Sequence, residues 1–364
     1  MRKFDTISNL LRARILNGDY ATSGVPSDRQ LAEEYGISYM TARRAVQTLI
    51  DDALLARTSN GRAMPVGRRH DPSRPAQVAF LVPTFSSRFV NTWRIALEAC
   101  GESRGAFVRT MVYQHWDEPV FYEAMNAFDG VVICPTAAPI SERLISTIQK
   151  SPCPVAFVEE DFSELGIPSV QIMPFSFIQR LLDHLEEYGH QRIACLNTQP
   201  YQPITEGRIA QWRIWMAAHG YKAPLIDEPV QVNSDPMPKA YEAMRRTLEL
   251  GTFDSTAILC ITDAAAFGCM RALRNVGLEP GKDVAVATIG TAGMGEYMNP
   301  SLTALESCDP TPYLSVIVDW IISGSSWKGS LLLRPYEPNL VIRESSGDPV
   351  RSGTRPLVSL NGFK

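Results

Sequence analysis

Short apolar runs alternate with amphipathic helical patterns through most of the chain after residue 77. Segments such as FSFIQRLLDHLEEYGH (175–190), with apolar residues at helical spacing, separate most of these runs. Near-continuous apolar strands that alternate with helices are typical of parallel sheets covered by helices on both faces. The predicted strands are VAFLV (78–82), FVRTMVY (107–113), GVVIC (130–134), PVAFV (154–158), RIACL (192–196), AILCI (257–261) and VAVATI (284–289). The pattern therefore predicts an α/β fold with doubly wound parallel sheets.

The length of this region indicates more than one sheet. Residues 77–346 make up about 270 residues, which is more than a single doubly wound sheet normally needs. We therefore expect two lobes, each built on its own sheet. In such folds ligands bind in a cleft at the carboxyl ends of the strands, and we expect a ligand there.

The first 17 residues show the apolar spacing of an amphipathic helix. The face expected to be buried carries Phe4, Ile7, Leu10, Leu11 and Ile15, and Asn17-Gly18 is expected to end the helix. A second, short helix is predicted after Pro26. Ser27 is its N-cap candidate, and Gln30, three residues later, can complete a capping box.

A third helix is predicted to follow Ser38, its N-cap candidate, after a turn at Gly36. Its buried stripe is expected to be Ala42, Ala45, Val46, Leu49 and Ile50. Two short helices joined by such a turn form a helix-turn-helix. The segment LLARTSNGRAMPV then has two strand-like runs around Asn60-Gly61, a strong hairpin signal. Together these elements predict a winged helix.

The exposed side of the third helix is polar and basic in its first turns, which is the part that a recognition helix presents to base edges. Arg57 and Arg62 flank the hairpin, and an arginine can pair with guanine or phosphate. The candidate DNA-contacting residues are Arg29, Ser38, Tyr39, Met40, Thr41, Arg43, Arg44, Gly61 and Arg62. The alternative is a small helical domain whose polar face is merely solvated.

The charge distribution supports a nucleic-acid contact at one end of the chain. The chain carries a net charge of −4, but residues 1–75 hold 12 Lys/Arg against 8 Asp/Glu, and the remainder holds 23 against 31. A basic N-terminal segment on an acidic body fits DNA binding by that segment.

The stretch LLRARILNGDY…VPSDRQLAEEYGISYMTARRAVQTLIDDALLARTSNGRA resembles the GntR-type winged helix of bacterial transcription regulators. The resemblance implies that Arg29 and Arg43 contact DNA and that the first turn of the third helix reads bases. It also implies that Gly61 lets the wing approach the minor groove. The family usually has arginine where this chain has Tyr39, which cannot make a bidentate guanine contact. We therefore expect an operator that differs from the common family sequence at that base.

The larger region is similar to the LacI-type effector domain, which itself resembles periplasmic sugar-binding proteins. The segments LLDHLEEYGHQRIACLN, EGRIAQWRIWMAAHGY, STAILCITDAAAFGCMRALRNVGLEPGKDVAVATIG, NPSLTAL and LLLRPYEPNLVIRESS carry the resemblance, in this order. It implies a ligand role for Asp263 and Arg208. The family usually has G-F-D-D after the strand at 284–288, where this chain reads T-I-G-T, so a hinge or cleft carboxylate is missing.

Aromatic residues near the expected cleft are candidates to stack on a sugar face. They are Phe89, Trp93 and Trp212. Each ligand candidate has a structural alternative: Asp263 as a helix cap, Arg208 in an ion pair between lobes, and Trp93 in the core. Trp212 and Trp215 cannot both face one cleft easily, so at least one of them is expected to pack internally.

Several functional classes lack their sequence signals. No Walker or dinucleotide-binding glycine pattern, no G-x-S-x-G elbow and no H-E-x-x-H occurs, so we predict no enzyme activity and no cofactor. The seven cysteines have no metal spacing, which predicts no metal site and buried, reduced thiols. Neither a signal peptide nor a membrane span is recognisable, and we expect a cytoplasmic protein that does not bind a membrane.

The sequence therefore predicts a winged helix-turn-helix at 1–67, a linker at 68–76, a two-lobed effector and dimerisation domain at 77–346 and a tail at 347–364. The predicted function is a sequence-specific DNA-binding transcription regulator, a repressor. Its expected partners are double-stranded operator DNA, a second copy of the chain and a small polar effector such as a sugar. The alternative is a small-molecule-binding module whose N-terminal segment mediates protein contacts.

Overall fold

The computed structural model describes residues 3–16, 20, 24–52, 54–57, 61–65, 74–84, 88–136, 138–232 and 234–348. The chain forms two compact units. The first unit comprises Met1–Val170 and Pro310–Leu333, and the second comprises Gln171–Asp309 and Arg334–Lys364. Most of the predicted linker at 68–76 and of the predicted tail at 347–364 lies outside the described residues.

The N-terminal segment contains the three helices and the hairpin of a winged helix. These elements are α1 (Lys3–Leu16), α2 (Asp28–Glu34), α3 (Tyr39–Asp51), β1 (Leu55–Arg57) and β2 (Ala63–Pro65). The two strands pair antiparallel, as the hairpin signal predicts. Their shared core consists of Ile7, Leu11, Ile15, Tyr20, Val25, Leu31, Ala42, Ala45, Val46, Leu49, Leu55 and Ala63.

The helix starts follow the predicted capping chemistry. The Ser27 side chain accepts from the backbone N–H of Gln30, and the Gln30 side chain accepts from the backbone N–H of Ser27, which completes the capping box. Ser38 caps α3 through the backbone N–H of Thr41. These caps satisfy donors that a helix leaves unpaired at its start, and so fix where α2 and α3 begin.

One residue of the predicted apolar face of α1, Leu10, faces solvent instead of the core. Leu10 is 41% exposed, whereas Ile7, Leu11 and Ile15 are buried. At 3.6 residues per turn, Leu10 points about 100° away from the middle of the stripe that these three residues form. The prediction for Leu10 was wrong because two adjacent residues cannot share one narrow helix face. The side chain of Phe4 lies outside the described residues.

After the winged helix, strands and helices alternate as the sequence predicts. In chain order they are β3 (Gln77–Pro83), α4 (Arg88–Glu102), β4 (Phe107–Tyr113), α5 (Val120–Ala127), β5 (Gly130–Ile133), α6 (Glu142–Lys150), β6 (Val155–Val158), β7 (Ser169–Val170), α7 (Ile178–Glu187), β8 (Ile193–Asn197), α8 (Pro203–Ala218), β9 (Leu225–Asp227), α9 (Pro236–Glu249), β10 (Ala257–Cys260), α10 (Asp263–Asn275), β11 (Ala285–Ile289), β12 (Thr303–Glu306), α11 (Thr311–Ser323), β13 (Leu332–Leu333) and β14 (Asn339–Val341).

The first unit contains a six-stranded parallel sheet in the order β13-β7-β6-β5-β3-β4. Every residue of β3 and β5 is buried, which explains the continuous apolar runs at these positions. Helix α11 packs closely on β5, since a Cβ added at Gly130 would lie 2.5 Å from the Ile321 side chain. A short, centrally placed strand with glycine therefore lets this helix approach the sheet.

The second unit contains a six-stranded sheet in the order β14-β12-β11-β10-β8-β9. All its pairs are parallel except β12 with the edge strand β14. One face packs with α9 and α10, and the other with α7 and α8. The prediction of doubly wound parallel sheets is confirmed for both units.

Two further features bear on the predicted class of protein. Of the seven cysteines, all are free thiols, and six are buried while Cys308 is partly exposed. Burial raises the pKa of the Cys153 thiol to about 12, so this thiol stays protonated at neutral pH. Within the described part of the chain, no helix combines the length and the apolar character needed to cross a bilayer.

Candidate functional site

The first turn of α3 is held in place by its cap. The Ser38 Oγ accepts from the backbone N–H of Thr41 at 3.1 Å and lies 2.8 Å from the Thr41 Oγ1. Gly36, with φ of +60°, makes the tight turn that leads into this cap. Ser38 and Thr41 were predicted to contact DNA, and in this structure their hydroxyls bond to each other and fix the start of α3.

The outer face of α3 is open to solvent. Ala42, Ala45, Val46 and Leu49 are buried on the inner face, and Arg43 and Arg44 are exposed on the other side. Tyr39 and Met40, the first two residues of α3, are 43% and 68% exposed. Arg29 of α2 is also exposed. Tyr39, Met40, Arg43 and Arg44 therefore lie on the solvent-exposed face of α3.

The wing is shaped by Gly61 and Arg57. Gly61 has φ of +80°, a backbone conformation that favours glycine, and its carbonyl oxygen accepts from Arg57 Nη1 at 3.1 Å. Arg57 Nη2 lies 3.8 Å from the Asp28 carboxylate, so this guanidinium links the wing to α2. Arg62, next to Gly61, is exposed. Both arginines flank the hairpin, as the sequence predicts, and Arg57 connects the wing to α2.

In the second unit, two of the predicted ligand residues meet at the carboxyl end of β10. Arg208, from α8, donates from Nη1 to the backbone oxygen of Ile261 at 2.8 Å. Asp263 follows two residues later and begins α10. Thr262 is the N-cap residue of α10, and its hydroxyl accepts from the backbone N–H of Ala265. Asp263 stands next to it and caps the same helix start through its carboxylate, as the alternative for this residue predicts. Its carboxylate accepts from the backbone N–H of Ala264 at 2.8 Å, in the first turn, where the helix dipole favours negative charge.

A polar network that the sequence did not predict lies on the same sheet edge. Asn197, at the end of β8, donates to Asp227 Oδ1 at 2.8 Å, and the Tyr201 hydroxyl donates to Asp227 Oδ2 at 2.6 Å. Gln199 Nε2 donates to Thr262 Oγ1 at 3.2 Å. These side chains therefore connect the ends of β8, β9 and β10. The signal that could have revealed them is a polar residue directly after each apolar run.

The loop that departs from the family pattern is anchored rather than open. Thr291, the last residue of T-I-G-T, is buried. Its backbone N–H and its hydroxyl both donate to the Glu306 carboxylate at the end of β12. Arg343 Nη1 lies 3.5 Å from the same carboxylate. This loop thus uses a carboxylate from a neighbouring strand to hold its own backbone.

Three tryptophans are part of the protein core. Trp93 and Trp212 are 1% and 5% exposed. The Trp212 indole donates to the backbone oxygen of Ile193 at 2.9 Å, and that of Trp215 donates to the Asp183 carboxylate at 2.7 Å. A ring covered on both faces offers no surface for stacking, so the structure corrects the assignment of Trp93 and Trp212 as sugar-stacking residues. Phe89 is partly exposed and contacts the edge of Trp93, with ring centroids 6.3 Å apart.

Two adjacent carboxylates follow β6 in the first unit, and neither is among the predicted site residues. Glu159 accepts from the Trp93 indole and has a positive φ of +77°, which is uncommon outside glycine. Burial raises the pKa of Glu160 to about 7. Both residues lie at the carboxyl edge of the sheet, where ligands of doubly wound folds bind.

Two family models match separate parts of the chain. The model for periplasmic binding proteins and the sugar-binding domain of the LacI family matches residues 124–309. The model for bacterial regulatory proteins of the gntR family matches residues 3–64.

Curated relatives are distant. The HTH-type transcriptional repressor CytR of Escherichia coli (strain K12) is 20% identical over 246 residues, which is 66% of this chain and 70% of CytR. Catabolite control protein A of Staphylococcus xylosus is 24% identical over 177 residues, covering 49% of this chain and 52% of that protein.

Solved structures share the fold. The lac repressor dimer bound to operator and the anti-inducer ONPF matches with a TM-score of 0.60 at 20% identity, covering 75% of this chain and 94% of that one. The LacI family regulator CCPA from Weissella paramesenteroides with bound sucrose matches with a TM-score of 0.60 at 18% identity, covering 74% and 98%. The chain belongs to the family of periplasmic binding proteins and sugar-binding domains of the LacI type, and a gntR-family regulatory segment precedes that domain.

Proposed function

We propose that this protein is a sequence-specific DNA-binding transcription regulator, a repressor, whose operator affinity is controlled by a small polar ligand. The observation that carries the proposal is the exposed, arginine-bearing face of α3, in a winged helix attached to a LacI-type effector domain. A recognition helix offers its first turns to base edges in the major groove, and Arg29 and Arg43 supply donors for guanine or phosphate.

The ligand class that we propose is a sugar or sugar derivative. Because Trp93 and Trp212 are buried, three of the predicted ligand-binding residues remain as candidates. They are Asp263 and Arg208 at the end of β10 and, in the first unit, Phe89. The fixed, complementary charges of Asp263 and Arg208 suit the hydroxyls of a sugar. Two structural neighbours hold sucrose and lactose, which supports the same class of ligand here.

The regulatory mechanism that we propose uses a homodimer held through the effector domains. A two-fold axis places two winged helices on a pseudo-palindromic operator. Ligand binding to the effector domain changes its conformation and thereby the separation of the two DNA-binding winged helices. The coupling is about 1–3 kcal/mol and must be reciprocal, so operator DNA changes ligand affinity by the same factor. A cytoplasmic location follows for a protein with this function.

The second candidate function is a ligand-binding module whose N-terminal segment contacts another protein. The exposed apolar side chains Tyr39 and Met40 favour it to a limited degree, since such residues also occur in protein interfaces. It predicts no duplex DNA binding beyond the non-specific level, which separates it from the first proposal.

The test compares Arg43→Ala with Arg213→Ala, a matched loss of one exposed arginine in the second unit. Duplexes are first selected with the wild-type protein from a randomised library, and affinities are then measured by fluorescence anisotropy at fixed salt. We expect Arg43→Ala to weaken binding by about 5- to 150-fold, which corresponds to a lost contact of about 1–3 kcal/mol. Arg213→Ala should bind as the wild type does. Equal affinities of all three proteins would exclude α3 as the DNA reader.

A further inference from the structure

We propose that Met40, supported by Tyr39, reads the methyl group of a thymine in the major groove of the operator. The inference rests on the proposed DNA-binding function and names the base that this function must recognise at the start of α3. Met40 is 68% exposed and Tyr39 is 43% exposed, and they are adjacent residues at the beginning of the helix.

The fold does not use these two side chains for packing. The inner face of α3 is filled by Ala42, Ala45, Val46 and Leu49, which are at most 1% exposed. Capping of α3 is supplied by Ser38 and not by either residue. Two adjacent, exposed apolar side chains lower the solubility of the protein and do not stabilise the helix. Such exposure is expected of a surface that contacts a partner.

Their surroundings indicate DNA as the occupant of this surface. Arg43 and Arg44 follow in the next turn, Arg29 is exposed on α2, and Arg62 is exposed on the wing. An apolar pair followed in the next turn by two exposed arginines fits a groove whose walls are phosphates and whose floor carries base edges. The basic side chains position the helix on the backbone, and the apolar pair then lies against the bases.

The chemistry of the two side chains selects the base. A thioether has no hydrogen-bond donor and is a weak acceptor, so Met40 cannot pair with the N7 and O6 atoms of guanine. Thymine is the base that presents an apolar group, its C5 methyl, in the major groove. Tyr39 has one hydroxyl on an aromatic ring and can contact the same methyl or a neighbouring one through the ring edge.

The test removes only the proposed contact from the DNA. In a duplex selected by the wild-type protein, each thymine is replaced in turn by deoxyuridine, which keeps base pairing and lacks the C5 methyl. We expect one position per half-site at which deoxyuridine weakens binding by about three- to fivefold, the factor for burying one methyl group. At the other thymines the substitution should leave affinity unchanged.

Protein variants assign the effect to Met40. Met40→Leu keeps an apolar side chain and should retain the thymine preference, whereas Met40→Gln has similar length and should lose it. Met237→Gln, at a residue that is 41% exposed in the second unit, is the matched control and should behave as the wild type. Tyr39→Phe should keep the preference if the ring, rather than the hydroxyl, makes the contact.

Four outcomes decide the inference. A thymine-specific loss that disappears in Met40→Gln supports it. Selected duplexes that bind equally well with deoxyuridine at every position overturn it while leaving DNA binding intact, and so does a preference that persists in Met40→Gln. Failure to select any duplex overturns both this inference and the proposed function.

Discussion

The substitution Arg74→Ala should destabilise the first unit strongly. Arg74 donates from Nη2 to Asp129 Oδ1 at 2.6 Å and from Nη1 to Oδ2 at 3.0 Å. The Asp129 side chain has no exposed surface, and that of Arg74 is 15% exposed. The Asp129 carboxylate also accepts from the backbone N–H of Gln77 at 2.8 Å, so the pair fixes the start of β3.

The magnitude follows from what the substitution leaves behind. Removing the guanidinium leaves a buried carboxylate without its counter-charge, which typically costs about 3–5 kcal/mol. For a unit of this size, that cost lowers Tm by about 6–20 °C. The double substitution Arg74→Met/Asp129→Leu removes both charges. The remaining loss of stability is then that of one unpaired backbone N–H at Gln77, about 1–3 kcal/mol.

Differential scanning calorimetry of the full chain measures these shifts. The control is Arg94→Ala in the same unit, where the partner Glu98 is 2.7 Å away and both side chains are well exposed, at 37% and 42%. An exposed pair of this kind contributes at most about 1 kcal/mol. If Arg74→Ala and Arg94→Ala lowered Tm equally, the buried pair would not stabilise the unit in the way that its geometry indicates.

Two further substitutions test burial at the sheet edges. Burial raises the folded-state pKa of Glu160 to about 7, so the folded state binds the proton more tightly and loses stability as pH rises from about 4.5 to 7. The substitution Glu160→Gln should therefore raise Tm more at pH 8 than at pH 5. An equal rise in Tm at both pH values in thermal unfolding would contradict this. The substitution Trp212→Phe should lower Tm, because it removes packing and the indole hydrogen bond to the backbone oxygen of Ile193. Its sugar affinity, measured by calorimetry, should stay within about twofold of the wild-type value. Loss of sugar binding with an unchanged Tm would instead show that Trp212 belongs to the ligand site.

The architecture was predictable because buried parallel strands leave a strong signal. Each of the seven predicted strands is present, with ends that differ by one residue at most. Six of them are buried along their whole length, and a strand buried on both faces must be apolar throughout. The exception is the edge strand β4, in which only Met111 and Tyr113 are buried. The strands of the two large sheets that were not predicted are β7, β9, β12, β13 and β14, and they have two to four residues each, too few for a clear pattern. Their place in the sheet is set by tertiary neighbours, which local sequence does not encode.

The DNA-binding surface could be predicted from local sequence signals. The candidate ligand residues at the carboxyl ends of β8, β9 and β10 could be predicted only in part. Capping residues and helical spacing fix which side of α3 faces solvent, and the structure confirms that side. Arg208 and Asp263 came from a family resemblance. Asn197 and Asp227 were missed because two residues 30 positions apart meet only once β8 and β9 pair. Trp212 was misassigned because periodicity alone does not tell which face of α8 the sheet covers.

Control of DNA affinity by a small ligand can be tested by measuring the duplex Kd with and without a sugar that binds the protein. Thermal unfolding against mono- and disaccharides and sugar acids identifies a sugar that stabilises the protein, because a ligand at about 100 times its Kd adds roughly 2.7 kcal/mol. The Kd for the selected duplex is then measured with and without that sugar at saturation. We expect the sugar to change the duplex Kd by about 5- to 150-fold, and a saturating duplex to change the sugar Kd by the same factor. A duplex Kd that does not respond to a sugar that binds would contradict it.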